Sequence, residues 1–401
     1  MPHKWSRVSL FFLFTVAFIG TILRSTAFVS FPLEYVNLVH AHSHVAFQGW
    51  VYTILMLLLT RTYLKEHQIK SGRYRLQFGL TVLVVAAILI SFSWQGYGLY
   101  SIVFSTLFQL LNYWFIFRFL KDLKESYSSG EADISVRFVK TGMWLGLLST
   151  LLPVGVGLLS AKGQNGSEAY RSLVYTFLHL QYNGWFLFVV LGLFYRYLCS
   201  NQIAFGNKDG LRFYTLLSLA VIPSISLSLL GMGFANYLMP AAYVSALLLA
   251  AALWFFIRSL PAKFHALFAH RSYWFKVYLF AFVASFILKM ILQSLSVLPP
   301  FRAYAAYNKF IIIAYLHLSL IGSISFLLLA MLVAMKWIPV TGSFKLGSAL
   351  FLTGFLLTEI LLSLAGLGLF HSNLFLATGS GVMALGVLAM MVTGDTVPES
   401  K

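Results

Sequence analysis

The chain has 401 residues, 60% of them hydrophobic, and Lys, Arg, Asp and Glu together make up 10%. An ordinary soluble domain carries about 25% charged residues, so this apolar excess cannot be buried in a water-soluble globule. A cytosolic enzyme, a disordered chain and a disulfide scaffold are thereby excluded, and a polytopic membrane protein remains. The net charge of +17 lies in short loops between long apolar runs, which is membrane topology and not a nucleic-acid-binding face. The single cysteine, Cys199, excludes an internal disulfide and any cysteine-based metal centre.

Crossing ~30 Å of hydrocarbon takes about 20 apolar residues. Twelve stretches qualify. In chain order they are Val8–Leu23, Val36–Thr60, Leu76–Phe92, Leu99–Phe119, Phe138–Leu159, Arg171–Tyr195, Phe213–Gly231, Asn236–Phe256, Trp274–Leu295, Phe310–Met335, Leu346–Gly366 and Phe375–Thr393. No period-2 alternation marks an outer-membrane barrel. The first stretch, with its basic start and short apolar run, also fits a signal peptide. With the N-terminus inside, the inner segments hold 22 basic residues and the outer segments five (Arg24, Lys162, Arg171, Arg302 and Lys309); Lys289, within a span, completes the 28. This bias puts both termini in the cytoplasm, at the inner membrane of a bacterium. His265 and His270 read as residues of a cytoplasmic loop.

Three spans share a local pattern. The second contains His44 and Gly49, the sixth His179 and Gly184, the tenth His317 and Gly322, each glycine five residues after its histidine. The histidines are 135 and 138 residues apart, and their spans are four spans apart. The chain therefore reads as one all-α transmembrane domain of three four-helix units in pseudo-threefold arrangement, with approximate repeats 1–137, 138–272 and 273–401. All three helices run from outside to inside. Each histidine lies about 12 Å below the outer surface at ~1.5 Å per residue. Neutral imidazole at that depth is a good ligand for haem iron or copper. The glycine, on another face, predicts a close helix neighbour.

The second span offers more than one candidate. His40 and His44 share a face, whereas His42 points elsewhere. The repeat favours His44, with His42 and His40 as alternatives. Lys289 and Glu359 are the clearest charges at membrane depth, read as an ion pair or a proton relay.

With its twelve spans and histidines on the second, sixth and tenth, the chain resembles the haem–copper oxidase subunit I superfamily. The run His40-Ala41-His42, the His179/Tyr182 pair and the His317–Gly322 spacing are similar to its NnrS-like branch of haem- and copper-associated proteins linked to nitric oxide stress. The resemblance implies that His44 and His317 are the axial pair of a low-spin, b-type haem and that His179 stands where the first copper ligand belongs. Tyr315 occupies the first of the family's two tenth-span histidine positions and is an alternative haem ligand, and Arg302 is a candidate propionate partner. Departures are equally plain. The seventh span lacks the adjacent copper histidines, Tyr182 follows its histidine by three residues instead of four, and no arginine pair precedes the last span. The implied protein therefore binds haem for electron transfer or for oxygen- or nitric oxide-related respiration or stress response, with its copper site lost. It would work in the lipid bilayer with a redox partner or a second respiratory subunit, and not with nucleic acid. An active terminal oxidase or nitric oxide reductase subunit, and a metal or proton transporter, are the alternatives.

Overall fold

A computed structural model describes residues 2–127, 133–261, 268 and 271–392. Its described residues form helices and no strand. Eleven helices are long and apolar enough to cross a membrane. Leu83, Ile90, Leu247, Trp254 and Ile360 present large apolar side chains outward, the surface expected of helices solvated by lipid. His265 and His270 lie outside the described residues.

The seventh of the twelve expected spans is not a continuous helix. A helix runs over Asn207–Ala220, the chain turns through residues 221–224, and one further turn covers Ile225–Ser228. The cause is local. Pro223 has no N–H and its ring crowds the preceding turn. Around it, Ser224 Oγ donates to the Val221 carbonyl at 3.1 Å and Ser226 Oγ to the Pro223 carbonyl at 2.6 Å. These side chains compete with the backbone ladder. The amide of Ile225 bonds Ile222 instead of Val221, so the Val221 carbonyl is released from the α-helical pattern.

The chain divides into two compact units. One comprises Met1–Ser128, Ser272–Phe275 and Leu328–Lys401. Within it, the helices Gly342–Gly366 and Asn373–Met391 meet along small residues. A Cβ added at Gly354 would lie 2.7 Å from the Gly379 carbonyl, and one at Gly386 2.6 Å from the Phe351 amide. Backbones approach this closely only where side chains are absent. Asp122 joins the start of helix Tyr74–Gln95 to the end of helix Leu99–Ser126. Its Oδ2 accepts from Tyr74 Oη at 2.7 Å and from Arg118 Nε at 2.9 Å.

The second unit comprises Ser129–Arg271 and Lys276–Leu327. The fifth and sixth helices pack through glycines. A Cβ at Gly142 would sit 2.9 Å from Val189, and one at Gly146 2.8 Å from the Trp185 ring. Ser167 caps the sixth helix and Asn308 the tenth by accepting from their first backbone amides, satisfying donors that a helix start leaves open.

Candidate functional site

The three histidine-bearing helices, Tyr35–Tyr63, Glu168–Ser200 and Lys309–Ala334, are the most buried candidate spans among the described residues. In their most apolar stretches 67, 89 and 78% of residues are buried, against 50% or less in every other candidate span. In each, the α-helix ends at the histidine and a π-helical segment begins at the next residue. The segments are Val45–Tyr52 after His44, Leu180–Phe186 after His179 and Leu318–Ser325 after His317. The five-residue step from histidine to glycine equals the hydrogen-bond step of this wider helix, a rare form found mostly at functional sites. In the tenth span Ser323 and Ser325 donate to the carbonyls five residues back, at Leu318 and Leu320.

The glycines also serve equivalent contacts. A Cβ at Gly49 would lie 2.9 Å from Phe12 on the first span, one at Gly184 3.3 Å from Leu145 on the fifth, and one at Gly322 2.7 Å from Ser285 on the ninth. Each histidine-bearing helix thus lays its glycine on the helix that precedes it.

The histidines themselves differ. His44 is half-buried, with its ring stacked on Phe92 at 4.0 Å. Its Nε2 has the Tyr97 hydroxyl at 3.5 Å, a weak contact by distance. His40 lies on the same face, its ring 4.6 Å from that of Tyr97. His42 points away, and its Nδ1 donates to the Val16 carbonyl on the first span at 3.0 Å. Gly20 makes room, since a Cβ there would stand 3.2 Å from the His42 ring. Fixing one imidazole nitrogen on a backbone carbonyl is how a second nitrogen is oriented as a ligand, so His42 retains that capacity.

His179 is fully buried (0%) and both its nitrogens are engaged. Nε2 lies 3.1 Å from the released Val221 carbonyl, which can only accept, so this nitrogen carries the proton. Nδ1 therefore accepts, from Ser228 Oγ at 2.9 Å and Asn183 Nδ2 at 3.3 Å. Ser224 Oγ lies 3.1 Å from Nε2. As it stands, His179 caps the break in the seventh span. The seventh-span partners were not expected from the sequence, although Pro223 with Ser224, Ser226 and Ser228 was a readable signal for a polar break.

His317 is half-buried at the head of its π-segment. Tyr315, two residues earlier, lies beside Tyr182 and Asn183 in the same unit. Arg302, on a short helix Pro299–Tyr307, directs Nη1 at Met239 Sδ, 3.5 Å away. Lys289 is buried (2%) and donates to Gln293 Oε1 at 2.7 Å. Glu359 faces the charge of Arg24 on the first span. Each of these two intramembrane charges thus has a polar neighbour within its own unit.

Among the described residues no three His, Cys, Asp or Glu side chains gather as a metal ion would require. A copper ion normally needs about three nitrogen or sulfur donors, so the donor set around His179 does not fit copper. His44 and His317, half-buried imidazoles at equivalent points of two helices, are chemically suited to haem iron. No protein-family model and no curated protein matches this sequence.

Proposed function

We propose that this is a haem-binding integral membrane protein, diverged from the haem–copper oxidase type, that serves electron transfer or oxygen- or nitric oxide-related respiration. In this reading three four-helix repeats surround the histidine spans, both termini face the cytoplasm of a bacterium, and His44 and His317 hold a b-type haem. The observation that carries it is the recurrence of one local device. Histidine, π-helix and glycine contact recur on the three most buried helices. The haem, when bound, supplies one-electron redox chemistry and an iron on which a diatomic gas can bind. The protein supplies imidazole ligands held on helices that packing immobilises. His179 closes the broken seventh span, with both ring nitrogens held by protein groups.

The test is the purified protein expressed with added haem. Reduced-minus-oxidised spectra and a pyridine haemochromogen assay are expected to show about one b-type haem per chain. His44→Ala and His317→Ala should each abolish or shift the α band, whereas His40→Ala should leave it. A protein free of haem under these conditions sinks the proposal.

The broken seventh span supports a second reading, metal or proton transport, because discontinuous helices mark ion sites in transporters. Proton or metal flux into liposomes from haem-free protein, abolished by His179→Ala, would favour it.

A further inference from the structure

A cavity of about 580 Å³ opens in the unit that begins with Met1–Ser128, lined by Ser272, Tyr273, Trp274, Val340 and Lys345. Its size falls within the range of small-molecule sites, ~300–1,000 Å³. Two helix starts form it. Helix Tyr273–Leu295 brings Tyr273 and Trp274 in its first turn, with Ser272 just before it. Helix Gly342–Gly366 brings Lys345 in its first turn, and Val340 belongs to the link that precedes it. In the same link the Trp337 carbonyl accepts from His3 Nδ1 at 3.2 Å. The cavity therefore opens on the membrane face where helix Pro2–Ser25 begins.

The lining is cationic and rich in donors. Lys345 is exposed and forms no ion pair among the described residues. No carboxylate lines the cavity. Ser272 Oγ accepts from the Phe275 amide at 3.4 Å, and its own proton remains to be donated. Tyr273 is 70% exposed and stands edge-on to Trp274, with 5.5 Å between ring centres. Tyrosine and tryptophan side chains take up such places at headgroup level, with the ring in apolar surroundings and the polar tip in water. Leu346, the residue after Lys345, is 59% exposed, as expected where acyl chains begin. A ligand that meets an ammonium, two hydroxyls, two aromatic rings and an outward leucine together is an amphiphile with an anionic head. The rings alone would suit a choline headgroup, but Lys345 beside them repels that cation.

We infer that this cavity seats the headgroup of an anionic phospholipid. Lys345 pairs with the phosphate, Ser272 and Tyr273 donate to its oxygens, and the glycerol rests on Trp274 and Val340. Basic recesses between membrane helices hold anionic headgroups in this way. The site uses none of His44, His179 and His317, so it stands or falls independently of haem binding.

The experiment is native mass spectrometry of the full-length protein, delipidated in detergent and titrated separately with phosphatidylglycerol, phosphatidylcholine and glycerol 3-phosphate. Wild-type protein is expected to bind one phosphatidylglycerol at least about tenfold more tightly than phosphatidylcholine, and glycerol 3-phosphate far more weakly than either. Lys345→Gln should weaken phosphatidylglycerol binding about fivefold, the share of one interfacial cation. Lys208→Gln makes the same charge change at an exposed site of the other unit and should leave binding unchanged. Ser272→Asp keeps an acceptor for the Phe275 amide but puts a carboxylate in the cavity, and should remove the preference for phosphatidylglycerol. Equal binding of the two lipids by wild type overturns the inference, as does tight binding that survives Lys345→Gln or Ser272→Asp, or that falls equally in Lys208→Gln. Glycerol 3-phosphate bound as tightly as the lipid would make this a site for a soluble phosphate and overturn the lipid assignment.

Discussion

Replacing His179 with alanine separates a structural histidine from a metal ligand. The substitution removes Nε2 from the Val221 carbonyl at 3.1 Å and Nδ1 from Ser228 and Asn183 at 2.9 and 3.3 Å. Val221 keeps one donor, Ser224 Oγ at 3.1 Å, so its carbonyl is not orphaned. Asn183 Nδ2 loses its hydrogen-bond acceptor in a buried setting. Hydrogen bonds between membrane helices average about 0.6 kcal/mol by double-mutant cycles. Three such losses amount to about 2 kcal/mol. One buried unsatisfied amide adds about 1–3 kcal/mol. The expected destabilisation is therefore about 3–5 kcal/mol, measured by denaturant unfolding of the purified protein in mixed micelles, with haem content per chain unchanged in the folded fraction. In the cycle with Asn183→Ala, the two effects should fall short of additivity by up to about 1.7 kcal/mol. A stability loss below about 0.5 kcal/mol, or a selective loss of bound metal from a fully folded variant, would refute the capping role.

Other substitutions probe the remaining devices. Gly322→Ala and Gly49→Ala place a Cβ 2.7 and 2.9 Å from Ser285 and Phe12, whereas Gly184→Ala meets Leu145 at 3.3 Å. The first two should cost about 1–3 kcal/mol and the third less, an order that the same unfolding assay checks. Asp122→Ala leaves the Tyr74 hydroxyl without its acceptor and Arg118 with Ser71 but no carboxylate; a loss of about 2–3 kcal/mol is expected, smaller in Asp122→Asn. His42→Phe removes the bond to the Val16 carbonyl and should lower stability by about 1 kcal/mol while leaving the haem spectrum intact. A lost spectrum with unchanged stability would make His42 the second-span ligand instead of His44.

The helical class, the apolar helices and the register of the three histidines were legible in the chain itself. Apolar runs near twenty residues in length admit only helices in lipid, since every backbone group must be satisfied within the segment. The face shared by His40 and His44, and the opposite aim of His42, followed from helical spacing alone. The close neighbour expected at each glycine is present on the preceding span.

Other features needed the folded molecule. The π-helical form after each histidine depends on hydrogen bonds made five residues apart, and no single residue type specifies it. Pro223 signals a disturbance, but whether a proline bends a helix or interrupts it depends on what receives the freed carbonyl. Here the break also releases the Val221 carbonyl, as the Ile225 amide turns to Ile222, and its receiver is His179, 42 residues earlier in the chain. The same residue type at the head of a π-helical segment is therefore a cap in one helix and a ring stacked on Phe92 in another. Composition and spacing determine that an imidazole is buried. Only tertiary structure determines whether its lone pair meets a protein donor, because that depends on backbone brought in from another span.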